Sequence, residues 1–449
     1  MNLSKAQWRT LFVVWLTYGA FYLCRVNIGP ARVEIEKTFA IDPLEMGLVL
    51  GALKIGYAIG QLVNGQLAER LGPKRILLAG IFGSVSACLL FASAGKLVAV
   101  LPSIAGPVNA VVHVVSPGAA LGPAAALLLV IWFANGLFQA GGWPPTVKIM
   151  ASWFSPTQRG RMMGILGTSY QLGSALTIAA SGALVAFAGN DFRAAFIVPA
   201  VILGGVGVHA HLRMRERPGP GEAPSLDELA KVAASAGPSN ADATKPSIRE
   251  TLLVTFTNPR IWILALALFG LDIVRYGFLD WAPGHLKKLH GSGVLLAGLK
   301  VAVFPLAGGL GALASGWMTD RWFQSRRAPV IAVTMGMVGV LTLVFDRVAP
   351  LGAGPTVVCL ALIGFFLYGA QILLVGTAAQ DFAKRGTTAA AAGFVDFMGY
   401  MGAFGGDVLT GWLLKNRDFH AAITFWASAA IVAALLSALL WRARPIATS

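Results

Sequence analysis

The chain is predicted to be an all-α polytopic membrane protein, with twelve transmembrane helices in two pseudo-symmetric six-helix halves. Three observations predict it. Only 12% of the 449 residues are charged, against 56% hydrophobic, and the mean hydropathy is +0.70. A soluble domain carries about 25% charged residues, so this composition excludes a soluble enzyme, and its apolar content excludes intrinsic disorder. Apolar windows of bilayer-spanning length recur along the whole chain; they are too long for barrel strands and show no period of two. A loop motif also recurs after equivalent windows in the two halves.

Span 1 covers 8–30. Lys5 and Arg9 before it resemble a signal peptide, but Arg25 interrupts the apolar run and no small-residue cleavage site follows, so it is read as a retained span. Spans 2 and 3, at 46–67 and 76–95, flank Arg70, Lys74 and Arg75. Residues 96–122 form an apolar outer insertion, too broken by Pro and Gly to cross. Spans 4 and 5, at 123–143 and 161–188, flank Lys148, Arg159 and Arg161, and span 6 at 192–212 completes an N-terminal half, 1–212. A linker at 213–258 is rich in Pro, Gly, Ala and Ser; in it Ser225 and Glu228 have capping-box spacing before a short amphipathic stretch, Leu226 to Ser235. The C-terminal half, 259–449, holds spans 7 to 12 at 259–282, 294–317, 328–347, 354–377, 387–414 and 420–441, with Arg321, Arg326 and Arg327 between spans 8 and 9.

The net charge of +15 sits in short clusters between apolar runs, not on one polar face, so no nucleic-acid partner is expected. With both termini cytoplasmic and basic residues at span ends counted with the adjoining loop, 22 basic residues fall in cytoplasmic segments, 9 outside and 4 in span interiors (Arg25, Lys54, Arg275 and Lys300). The positive-inside bias therefore assigns this orientation, in the cell inner membrane with the lipid bilayer as solvent. Cys24, Cys88 and Cys359 lie in apolar stretches, and His113, His209, His211, His285, His290 and His420 show no metal-ligand spacing. Neither a metal nor a cofactor is expected.

The repeated motif is Gly-x-x-x-acid-Arg: Gly65 to Glu69-Arg70 after span 2, and Gly316 to Asp320-Arg321 after span 8, 251 residues apart. The glycine allows close approach of helix ends, the acid suits a neighbouring helix N-terminus, and the arginine anchors the cytoplasmic side. The motif resembles the loop signature of the major facilitator superfamily. That resemblance implies two six-helix halves alternating access around a site at the membrane midplane.

Arg25 lies 40 residues before Gly65 and Arg275 lies 41 before Gly316, which places one arginine at the same depth in spans 1 and 7. Each costs roughly 2.5–3.5 kcal/mol on an insertion scale, a cost that an anion site explains. Asp272 is a candidate partner for Arg275. All seven tyrosines fall in spans. Tyr18, Tyr22 and Arg25 share a helical face, as do Lys54, Tyr57 and Gln61, and Asp396, Tyr400 and Asp407; Tyr170 shares one with Ser174, Thr177 and Ser181. Phenol hydroxyls around two guanidinium groups suit a cluster of phosphoryl oxygens; Tyr276 is read as packing. Lys300 is read as snorkelling and Lys54 as either snorkelling or supplying a further cation. Asp407 is expected to pair in the cytoplasmic half of the bundle, and Asp396 to serve substrate or coupling.

Tyr22-Leu-Cys-Arg25-Val-Asn27, Gly142-Trp-Pro-Pro145, Arg275-Tyr-Gly-Phe-Leu-Asp280-Trp281 and Ala392-Gly-Phe394 resemble the organophosphate:phosphate antiporter family over nearly the whole chain. The resemblance implies exchange of a phosphorylated small molecule for inorganic phosphate, with no enzymatic chemistry; the protein is expected to be a monomer. It puts the family's substrate arginines at Arg25 and Arg275, and its cavity tyrosines at Tyr18, Tyr22, Tyr57, Tyr368 and Tyr400. Glycerol-3-phosphate exchangers carry lysine where this chain has Gln61 and histidine where it has Tyr170, so its organic substrate is expected to differ. Asp272, Asp396 and Asp407 leave proton-coupled symport of an organic anion open, and a non-transporting receptor of the same fold is a further alternative. Asp272 and Asp396 beside the arginines also fit an organic end that carries a cation.

Overall fold

The computed structural model describes residues 3–116, 118–219, 222, 253–291, 293–323, 326–382 and 388–443. Among these, eleven helices are long and apolar enough to cross a membrane: Lys5–Phe39, Pro43–Leu71, Pro73–Ala92, Pro123–Trp153, Arg161–Phe187, Ala194–Arg213, Pro259–His290, Val294–Thr319, Arg327–Leu351, Ala353–Val375 and Phe419–Leu439. They match spans 1 to 10 and span 12. Span 11 is the 29-residue helix Thr388–Asn416, whose glycines and two aspartates dilute its hydropathy. Ser225 and Glu228 lie outside the described residues. The outer insertion does not run straight: Ala94–Val100 and Pro102–Val114 meet at 87°, and Asn109 fixes its return by hydrogen-bonding both backbone groups of Leu121 at 2.8 and 3.0 Å.

Helix starts follow local chemistry. Asp42 caps span 2, accepting from the amides of Leu44 and Glu45 at 2.8 and 3.0 Å while Glu45 reaches back, and Pro43 sits where no amide is needed. Span 3 begins after Gly72 at φ +93°, a conformation that favours glycine. The acid at that N-terminus is Glu216, which accepts from the Lys74 amide at 2.9 Å. Glu69 of the repeated motif pairs instead with Lys148 at 2.8 Å. This corrects the sequence reading of its role.

Spans 1 and 7 are interrupted beside their arginines. Span 1 is helical over Lys5–Phe21, tightens into a 3-10 turn at Tyr22–Cys24, and resumes at Ile28–Phe39. Side chains of span 4 satisfy the freed carbonyls: Asn135 donates to Cys24 at 2.8 Å and Gln139 to Phe21 at 3.1 Å. Span 7 is helical over Pro259–Tyr276 and widens to a π segment at Gly277–Trp281. Pro283 lacks an amide and its ring would crowd the carbonyl four residues back, that of Leu279.

The two halves meet along spans 2 and 11, and the seam has a direction. At the Asp42 end it is tight: Gly47 of span 2 meets the backbone of Asp407, Gly411 of span 11 meets that of Pro43, and Lys415 pairs with Asp42 at 2.8 Å. Partial burial raises the Asp42 carboxyl, but the bond and charge of Lys415 with the amides of Glu45 and Leu44 hold it below its ordinary value. Further along, Gly51 meets Phe404, then Tyr57 faces Tyr400 at 4.4 Å. At Gly65 and Gly393 a Cβ would meet nothing within 4 Å. Spans 5 and 8 repeat this, with Gly182 against Val294 and Gly298 against Ile178, then open space at Gly164 and Gly316. The motif glycines 65 and 316 thus make no close helix approach, because the halves stand apart at their end.

Candidate functional site

Arg25 lies at the break in span 1 and is 3% exposed. Its Nε donates to Gln139 Oε1 at 3.1 Å, and its guanidinium sits over the rings of Tyr22 and Tyr57 at 4.8 and 4.3 Å. The same Gln139 that closes the broken backbone thus orients the cation. Arg275, 5% exposed, lies at the corresponding place in span 7, over the rings of Tyr276 and Tyr368 at 5.0 and 5.4 Å. Cation–π contact stabilises a buried guanidinium; Arg25 Nη1 and Nη2 also donate long hydrogen bonds to the Tyr22 hydroxyl at 3.3 Å and the Gln139 carbonyl at 3.5 Å.

The two cages join. Tyr400 contacts Tyr57 at 4.4 Å and Tyr276 at 6.4 Å between ring centroids. Tyr22 stacks on Tyr170 at 5.9 Å and meets Tyr18 edge-on at 6.2 Å. Each half therefore contributes one arginine and part of the aromatic wall. Asp272 Oδ1 lies 3.5 Å from Arg275 Nη1, as the sequence anticipates, but without hydrogen-bond geometry. Arg275 Nε is buried with no hydrogen-bond partner. Gln61 and Asp396 are near neighbours one turn from Tyr57 and Tyr400 on the open side.

Lys54 borders this group, its Nζ lying 4.7 Å over the Tyr276 ring, but its charge is committed elsewhere. It does not snorkel: it is 2% exposed and sits 2.6 Å from Asp280 Oδ2 and 2.8 Å from Asp407 Oδ2. Two carboxylates of the C-terminal half compensate its charge, so it is not a free cation beside the arginines. Trp281 Nε1 donates to Asp407 Oδ1 at 3.0 Å, and the Arg32 guanidinium covers Trp281 at 4.6 Å. Asp407 thus pairs toward the Asp42 end of the seam, where Lys54 descends from the start of span 2, and not in the opposite half of the bundle. Glu34 with Lys287 adds a further cross-half ion pair at this end. Lys300 also has a partner, His290 Nδ1 at 2.8 Å, in place of snorkelling. The sequence reading did not single out Asp280 as a charge. Matched depth was the available signal, since Lys54 lies eight residues from the outer edge of its window and Asp407 seven.

The family model of the Major Facilitator Superfamily matches residues 14–407. The chain is 28% identical to a glycerol-3-phosphate transporter of Bacillus subtilis (strain 168), over 95% of this chain and 90% of that protein. It is 24% identical to a probable hexose phosphate transport protein of Chlamydia muridarum, over 97% of this chain and 91% of the relative. Its fold resembles a bacterial homolog of the human lysosomal transporter Spinster, solved inward-facing and unoccupied, with a TM-score of 0.72 at 16% identity and full coverage of both chains.

Proposed function

The chain belongs to the Major Facilitator Superfamily, and we propose that it exchanges a phosphorylated organic metabolite for inorganic phosphate by alternating access. The observation that carries this is the arginine pair. Two buried guanidinium groups, one per half, sit at matched helix breaks, and each is held by aromatic rings. Arg275 retains a buried Nε with no hydrogen-bond partner. A phosphoryl group carries nearly two negative charges at neutral pH and three acceptor oxygens. It suits two planar forks that approach from opposite sides. Transporters of phosphorylated solutes among the relatives support the substrate class.

Residues 1–212 and 259–449 are the moving halves, with the linker 213–258 and both termini cytoplasmic in the inner membrane. On that orientation the tight end of the seam is external and the open end faces the cytoplasm. One chain supplies both sides of the cleft, so we read the working unit as a monomer.

The test is phosphate self-exchange in liposomes. Arg25→Lys and Arg275→Lys keep the charge and lose the fork. One lost hydrogen bond between charged groups is worth roughly 1.5–3 kcal/mol, so each should weaken apparent phosphate affinity by about 10- to 150-fold. Parental rate and affinity in either variant would make that arginine structural. Binding without flux would favour a receptor, and uptake driven by a proton gradient into phosphate-free vesicles would favour symport.

A further inference from the structure

Four aspartates lie buried or half-buried among the spans lining the seam. Asp280 and Asp407 share Lys54, and Asp272 faces Arg275. Asp396 differs: among the described residues no basic side chain lies within ion-pairing distance, and Gln61 is its polar neighbour across the seam. It is within Coulombic range of Asp272 and of both arginines.

The position of Asp396 is well defined. Span 11 packs on span 7 through Gly399 and Gly402, with Gly399 set against Leu268 and an Asp272 oxygen. Residues 393, 396 and 400 share one helical face. Tyr400 on that face touches Tyr57, while Gly393 on it meets open space. Asp396 therefore sits between the aromatic floor and the mouth of the cleft, partly exposed. A ligand whose phosphoryl group is held by the arginines would direct its organic end toward this face.

Two guanidinium groups against two carboxylates leave the cleft near neutrality. A phosphoryl dianion alone, inorganic phosphate included, still gains the attraction of the two guanidinium groups but binds more weakly for the like charge of an unpaired carboxylate nearby. An ammonium on the organic end reverses that sign at Asp396. We propose that the organic substrate is zwitterionic, a phosphoryl compound with a primary amine, and that Asp396 with Gln61 receives the ammonium. This rests on the arginine pair holding the phosphoryl group.

The experiment measures binding to purified protein by calorimetry, with matched ligands. These are 2-aminoethyl phosphate against propyl phosphate, and 2-aminoethylphosphonate against propylphosphonate, so that ester and phosphonate are read separately. The parent should prefer the amine in at least one pair by about 10- to 150-fold, the value of a charge-assisted hydrogen bond. Asp396→Asn should bring that ratio close to one, and Asp396→Glu should retain most of it. Equal affinity for amine and alkyl ligands in the parent would overturn the proposal, as would a ratio unchanged in Asp396→Asn. The parental ratio needs no variant to fold. Phosphate self-exchange in the same preparation tests the transport reading by itself, so failure of one is distinguishable from failure of the other.

Discussion

Removing the Lys54 charge should open the sealed end of the seam. The Lys54 ammonium lies 2.6 and 2.8 Å from carboxylates of the other half, with all three side chains at most 3% exposed. Lys54→Met keeps much of the volume and strands two carboxylates that repel each other. Breaking a buried pair by removing one partner costs about 3–5 kcal/mol. Opening the seam restores their hydration, so the penalty falls on the closed state alone. Converted at 1.36 kcal/mol per decade, it shifts the closed-to-open equilibrium by roughly 160- to 5,000-fold. The probe is Val33→Cys in a background lacking Cys24, Cys88 and Cys359, which are all buried and free. Val33 is 4% exposed and packs across the seam on Gly284. Its labelling by a bulky polar maleimide should rise at least 100-fold in Lys54→Met. The triple variant Lys54→Met, Asp280→Asn, Asp407→Asn leaves no stranded charge and should return toward the parental rate. Parental labelling in folded Lys54→Met would refute the reasoning, because the triad would then not hold the seam.

Further outcomes follow from the cages and from the orientation. Arg25 rests on the face of Tyr57 at 4.3 Å, so Tyr57→Leu should lose a contact worth about 0.5–2 kcal/mol. Phosphate affinity should fall about 2- to 30-fold, while Tyr57→Phe keeps the ring and should stay within about threefold of the parent; equal losses would assign the effect to the hydroxyl. Single cysteines at Lys37, whose side chain is 65% exposed at the tight end, and at the exposed Arg70 at the open end report orientation. An impermeant thiol reagent on intact cells should label only position 37, and labelling at 70 alone would invert the topology.

Much of the architecture was legible because membrane burial leaves coarse traces: window length, basic loops and a motif repeated after spans 2 and 8. The depth match of Arg25 and Arg275 was legible for the same reason. Their backbone setting was not. The interruptions at Tyr22–Cys24 and Gly277–Trp281 depend on Asn135 and Gln139 of a different span and on the crowding by Pro283, and neither registers in a hydropathy window. The pairing of charges was likewise hidden. Lys54 read as a free or snorkelling cation because its two acids lie 226 and 353 residues later in the chain. Depth could have proposed Asp407; the contact with Asp280 needs the span 7 helix to continue through its π segment. The motif glycines 65 and 316 read as close-approach sites, but a sequence carries no mark of which end of an alternating bundle is open.

The lock and the arginines act on the same two bodies at different depths, and this separation bears on exchange. Lys54, Asp280 and Asp407 stabilise the state closed at the Asp42 end whether or not the cleft is filled. The arginines differ in company: Arg25 has Gln139 and aromatic rings, while Arg275 also has Asp272 without hydrogen-bond geometry. Bringing the halves together around an empty cleft sets one guanidinium toward another as water leaves, and the part of their repulsion that Asp272 and Asp396 do not offset grows as the local dielectric falls. A phosphoryl group between them replaces that repulsion by charge-assisted bonds to both halves. Its affinity is therefore greatest in the occluded state, and only such a difference in affinity can speed reorientation. The lock must open on each cycle, and the ligand-bridged state is the one in which the halves remain held together as it does. On the proposed mechanism an empty carrier lacks that bridge and should return slowly, so that a bound phosphoryl group would accompany each crossing, the expected signature of exchange.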